Sequence, residues 1–306
     1  MTVTASLQAL LERSIDFAGL FPPASLDLDS AVNDHAKYLR SSERWMLSTF
    51  VLPVSKFGAT QQFLGLFDKA NPLLISALGA KTENAAAFLA ALDDVASGVR
   101  GLSEQENSPA AVSQLEMFLP RGITLSQLNE AGFLLKDISV FWEAPSSDAE
   151  RVISLLANYN ASRGSRPIFG YKMRTGGVTA DAFPASNEIA RALVAAAAYR
   201  VPIKFTAGLH HPVRQYREEV QTKMHGFLNV LGAAVLAGQH SWSVDRTTEL
   251  LEDEEAGSFR FTDHCFTWRD WQIDLQELKK RRALVTTFGS CSFDEPRDDL
   301  RALGLL

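Results

Sequence analysis

The sequence predicts an α/β fold, a closed (β/α)8 TIM barrel, on three observations. Short apolar runs alternate with amphipathic stretches along the chain, the pattern of parallel strands joined by crossover helices. Eight such runs occur, and several are apolar on both faces, as strands covered by helices must be. Eight units in about 250 residues match the usual size of such a barrel. A doubly wound open sheet is the rival. It calls for a Gly-rich phosphate loop after an early strand, whereas the tight glycines here, Gly176-Gly177 and Gly208, come late.

The strands are expected at residues 14–18, 46–52, 73–78, 114–119, 138–143, 168–173, 201–206 and 283–288. Asn71-Pro72, Asp137 and Arg166-Pro167 punctuate strand starts with turn chemistry. Helical periodicity falls between the runs, at 28–40, 60–70, 82–98, 126–131, 147–162, 186–199 and 222–237, with a short last helix near 297–303. No internal repeat or low-complexity linker divides the chain, so residues 1–306 are expected to form a single TIM-barrel domain. Residues 239–282 read as an insertion between the seventh helix and the eighth strand. Its acidic run, Glu249, Glu252, Asp253, Glu254 and Glu255, suggests a charged surface excursion.

Composition narrows the function classes. A hydrophobic content of 46% with 22% charged residues belongs to a globular chain, neither disordered nor fibrous. The longest apolar stretches, 192–198 and 230–237, fall short of the ~18–20 residues that cross a bilayer. Glu12 and Arg13 interrupt the apolar pattern of the first segment, which reads as structure and not as a signal peptide. Thirty basic against thirty-six acidic residues, net −6, with no long Lys/Arg run, argue against nucleic acid. Cys265 and Cys291 form no CxxC, and a reducing cytoplasm is the expected compartment.

In a barrel the chemistry sits at the C-terminal ends of the strands. Two lysines stand out there: Lys172 in IFGYKMRTGG and Lys204 in VPIKFTAGLHH, each inside an apolar run. A second ammonium nearby, with desolvation, disfavours protonation of the first and frees an amine to attack a carbonyl. The bland reading is a buried ion pair with Glu116 or Asp16. The loops after the last strands can offer N–H and hydroxyl donors to an anionic or hydroxylated ligand: Thr175-Gly176-Gly177, Gly208, and Gly289-Ser290-Cys291-Ser292. Arg174 can add a bidentate clamp.

These residues resemble the deoxyribose-phosphate aldolase family, as a divergent member. Lys172-Met173-Arg174-Thr175-Gly176 matches its K-x-x-T-G motif on strand six, where the lysine forms the Schiff base. Lys204 ahead of Ala207-Gly208 matches its second lysine, and FGSCS at the last strand looks like its phosphate loop. More weakly, Glu116 in LEMFLP falls on a proton-transferring aspartate, Asp16 in SIDFAG on a strand-one aspartate, and TFVLP on the second strand. The chain departs at Ser139, where the family has another lysine, at Glu116, and at His210-His211-Pro212. The resemblance implies a class I aldolase-like lyase, with no cofactor, acting on a small aldehyde, ketone or keto acid with an anionic or hydroxylated tail. Lys172 is its amine, Lys204 lowers that amine's pKa, and Glu116 with Asp16 moves protons. Homodimerisation is expected, since such barrels commonly form dimers.

The histidines offer other classes. His210, His211 and His225 invite a metal-dependent lyase or hydrolase, though no carboxylate lies beside them in a known metal spacing. The blander assignment has His210 at the pocket mouth as an acid or base and His225 packed in a helix. A non-catalytic binding barrel is the third class, motivated by Ser139.

Overall fold

The computed structural model describes residues 3–103, 108–135, 138–166 and 168–306. Asp137 and Pro167, expected at strand starts, lie outside them. Eight parallel strands close into a barrel: β1 Ile15–Phe17, β2 Leu47–Pro53, β3 Leu73–Leu78, β4 Ala110–Phe118, β5 Ser139–Glu143, β6 Phe169–Arg174, β7 Ile203–Thr206 and β8 Val285–Ser290. Each pairs with its neighbours in chain order, and β8 returns to β1 with Phe288 beside Ile15. All eight expected strands are present, within a few residues at each end.

The outward faces bury Ile75, Val140, Trp142, Phe169 and Phe205 against the helices. Two local rules set many helix ends. Thr124 caps helix Leu125–Leu134 in a reciprocal pair with Gln127. Helix Phe227–His240 begins where Gly226 lets the chain cross Pro212, whose carbonyl would lie 2.5 Å from any Cβ there. The carbonyls of His211 and Pro212 accept its first free N–H groups.

Several expectations need correction. Residues 222–237 are not one helix: Gln215–Arg217 and Thr222–Met224 form a hairpin, and the helix starts only at Phe227. His225 therefore precedes it. In place of a helix over 60–70 there is a short helix, Phe57–Thr60, followed by a 3-10 stretch, Gln61–Leu66. A helix at Ala5–Leu11, absent from the sequence reading, packs on helix Leu275–Arg282 with Leu7, Leu10 and Leu11 buried.

The stretch between helix Phe227–His240 and β8 has an apolar interior of its own. It holds helix Val244–Leu251 and a three-stranded antiparallel sheet, Phe259–Phe261, Cys265–Trp268 and Trp271–Asp274. Trp242, Trp268 and Trp271 meet edge to face at 5.2–5.8 Å, and Trp268 is fully buried. Within the acidic run, Asp253 turns inward and accepts bonds from Trp268 at 2.9 Å and Arg269 at 3.0 Å. The segment is a packed buttress and not merely a charged excursion. No helix among the described residues is long and apolar enough to cross a membrane.

Candidate functional site

Barrel interiors are ordinarily filled by branched apolar side chains. Here every strand contributes an inward polar one: Asp16 from β1, Thr49 from β2, Ser76 from β3, Gln114 and Glu116 from β4, Glu143 from β5, Lys172 from β6, Lys204 from β7 and Thr287 from β8. Strand register brings them together. Glu143 pairs with Lys172, and Lys172 with Lys204.

The result is one hydrogen-bonded column. Lys172 Nζ lies 2.7 Å from Glu116 Oε2 and 2.8 Å from Glu143 Oε2. Lys204 Nζ binds the other oxygen of Glu116 and lies 2.7 Å from Asp16 Oδ2. Thr49 donates to Asp16 at 2.6 Å, Ser76 donates to Glu116 at 2.5 Å, and Thr287 also donates to Asp16. Gln114 bridges Asp16 and Ser76 at 3.2 and 2.9 Å. Three carboxylates thus enclose two ammonium groups, and every member has partners, the condition for charges to persist in a low-dielectric interior.

Burial opposes ionisation of Glu116, but the ammonium groups of Lys172 and Lys204 outweigh it and hold the carboxyl well below the usual range. Burial likewise opposes the charge on Lys172, and Glu116 with Glu143 reverses that, pushing its pKa up. The sequence led to the opposite sign, with Lys204 lowering the amine's pKa. The physical reason for the correction is Glu116, which stands between the two lysines.

Above the column, at the C-terminal end of the barrel, a cavity of about 440 Å³ opens. Lys172, Glu116 and Glu143 form part of its lining, with Phe21, Pro22 and Pro23 from the loop after β1 also contributing. Lys172 keeps 5% of its side chain exposed against 1% for Lys204, so Lys172 is the amine a ligand can meet. Asp16 and Lys204 lie beneath and do not line the cavity.

Of the other expected residues, Arg174, Gly177, Gly208, His210 and Gly289 line the cavity, whereas Thr175, Gly176, Ser290 and Ser292 do not. Thr175 donates to the carbonyl of Ala207 at 2.6 Å. Gly176 and Gly208 touch backbone to backbone: a Cβ on either would lie 2.8 Å from the other's Cα. Ser290 donates to the carbonyl of Ser292 at 2.7 Å, and Ser292 accepts from the N–H of Glu295 at 3.1 Å. These donors close the loops on themselves.

His210 lines the cavity beside Cys291, with Sγ 4.0 Å from Nδ1, and pairs with Glu295 at 3.0 Å. Burial lowers its pKa, but the contacts to Cys291 and Glu295 prevail and raise it to about 9. His211 Nδ1 lies 2.6 Å from Asp299. His225 Nε2 donates to the carbonyl of Pro184 at 2.8 Å, and burial lowers its pKa to about 4. Glu295 and Asp299, on helix Asp294–Ala302, are the carboxylates the sequence did not associate with the histidines. His210 and His211 share Glu295, at 3.0 and 3.9 Å, while His225 is engaged elsewhere, and among the described residues no group of three or more His, Cys, Asp or Glu is arranged to hold a metal ion.

Glu143 and Lys81 were not read as site residues. Glu143 carried a signal, since it ends the apolar run SVFWE at the catalytic end of its strand. Lys81 sits in a loop, with its ammonium 4.7 Å from the ring centre of Phe118, and carried none.

Fold and cavity define an α/β-barrel protein with a charged pocket at the end of the barrel where such folds carry their chemistry. No known family matches the chain, and no curated protein does. Among solved structures it is similar to a GH10 endoxylanase retrieved from a sugarcane soil metagenome, at 11% identity and a TM-score of 0.47, over 94% of this chain and 87% of that one. So distant a likeness says nothing about reaction or substrate.

Proposed function

We propose that the protein is a Schiff-base-forming lyase of the aldolase type, with Lys172 as the amine. The observation that carries this reading is a lysine whose only exposed surface opens into the cavity, flanked by two carboxylates at 2.7 and 2.8 Å. Lys172 rests as an ammonium, so its proton must first pass to a neighbouring carboxylate. Glu143, partly exposed to the cavity, is the nearer to solvent. The neutral amine then attacks the carbonyl carbon. The carbinolamine oxygen leaves as water, taking up the proton that Glu143 received. The iminium is a cation where the ammonium stood, so the carboxylates that stabilise one stabilise the other. It withdraws electrons from the adjacent bond; cleavage of that bond to release an aldehyde, or loss of an α-proton, yields an enamine. The proton set free by the aldehyde's hydroxyl or the α-carbon passes to Glu143, which is again a carboxylate once water has left.

Glu116 touches the amine and acts directly on it. Asp16 and Lys204, out of reach of the ligand, are positioning residues that hold Glu116. The test is borohydride reduction with a panel of small aldehydes and keto acids, read by intact mass. A covalent adduct in the native protein that disappears in Lys172→Met supports the reading. Absence of any adduct, or one that survives the substitution, overturns it.

A further inference from the structure

We infer that the substrate of this pocket carries a carboxylate, seated between Lys81 and Arg174, and not in the glycine- and serine-rich loops after β7 and β8. The inference rests on the imine reading for the position of the carbonyl.

Two hydroxyl donors that could hold an anion on the β7–β8 side are already engaged: Thr175 and Ser290 donate to backbone carbonyls of these loops. The cation on that side, His210, is already paired with Glu295 at 3.0 Å. An anion arriving there would displace an internal bond and meet the carboxylate of Glu295.

The opposite rim is different. The main cavity adjoins a second lobe of about 430 Å³, and the residues common to both are Lys81, Phe118, Glu143 and Arg174. Neither Lys81 nor Arg174 makes a hydrogen bond or ion pair with any described residue, although both line a seam rich in charge. Lys81 is set over the face of Phe118, a contact that orients the ammonium without neutralising it. Arg174 lies two residues beyond Lys172 on β6 and so on the same face of the strand. Two unneutralised cations on one seam, one with a planar fork suited to a carboxylate, are complementary to a single oxyanion. Glu143, Asp181 and Glu188 also line the second lobe and would repel a doubly charged phosphate more than a carboxylate.

Lys172 and Arg174 are neighbours on one face of β6, so a short aldehydo or keto acid fits this description.

The test compares 4-oxobutanoate with butanal in borohydride trapping, read as the ratio of their half-saturating concentrations. The native protein is expected to favour 4-oxobutanoate by at least about tenfold. In the double variant Lys81→Met/Arg174→Met, whose fold is checked by melting temperature, the ratio is expected to fall towards one. A ratio near one in the native protein, with both aldehydes trapped, overturns this inference and leaves the imine intact. A ratio that persists in the double variant also overturns it. Should neither aldehyde be trapped, the imine reading falls, and calorimetry with succinate alone decides the seat. Binding that the double variant weakens tenfold supports it, and absence of binding overturns it.

Discussion

Lys172 and Lys204 are register partners on adjacent strands, and the carboxylate of Glu116 stands between their ammonium groups, one oxygen on each. The two lysines therefore communicate through a shared counter-ion. Removing either end of the triad changes the charge felt by the other, and the sign can be worked out for each.

Lys204→Met frees Glu116 from one cation and leaves its charge to Lys172, which should become harder to deprotonate. The pH at which Lys172 forms a trapped imine is expected to move upward. A trapping profile that coincides with the native one would show that the lysines are uncoupled. Asp16 also loses its partner, so stability should drop by about 3–5 kcal/mol, the usual cost of breaking a buried pair.

Glu116→Gln has the opposite effect on the amine. Burial and the remaining charge of Lys204 then act on Lys172 with only Glu143 opposing them, so its reactive pH should fall. The same trapping series, run against native protein, measures the shift. Denaturant unfolding is expected to show a loss of about 3–5 kcal/mol, since two lysines lose one counter-ion.

His210 makes stability depend on alkaline pH. Its folded pKa, about 9, lies above the unfolded value near 6.5, so the folded state holds the proton more tightly. This contribution is complete below pH 6.5 and is lost as pH rises through about 9. Its size is of order 3 kcal/mol for a shift of this extent. Glu295→Gln should flatten the decline between pH 6.5 and 9 in urea midpoints, and an equally steep decline in the variant would assign it elsewhere.

His35 should act at the acid end. It is fully buried among Phe17, Phe50 and Phe67, neither ring nitrogen has a hydrogen-bond partner among the described residues, and burial lowers its pKa to about 3. Between pH 6.5 and 3 the unfolded chain binds a proton that the folded one excludes, so stability falls as pH falls. His35→Leu should shift acid unfolding to lower pH. An unmoved midpoint would mean that the carboxylates alone govern it.

The strands were legible because each is a short apolar run bounded by turn residues, and because the catalytic end of a barrel strand is a fixed address. That address singled out Lys172 and Lys204, while Glu116 was legible as a partner for them and through the family resemblance. The address applied equally to Glu143, which the sequence reading did not single out. Partners from distant elements were not legible: nothing in HHP announces that Glu295 and Asp299 fold back onto it. The sign of the Lys172 shift turns on Glu116 and Glu143 both touching its ammonium, of which the sequence offered only Glu116 as an ion-pair partner. The hairpin at 215–224 resembled a helix start because Thr222 is a good cap, while the true start depends on Gly226 crossing Pro212.

The barrel of this protein is threaded by salt along its axis. Thr49, Gln114 and Thr287, which bond Asp16 at the lower end of the column, also line a cavity at the N-terminal mouth. A continuous file of polar groups thus runs from one mouth to the other, past the ring of Phe141. In such a lattice a lone change strands a charge, whereas a matched exchange such as Lys204 together with Asp16 removes two at once, so inside the barrel the cheaper changes are those made in pairs.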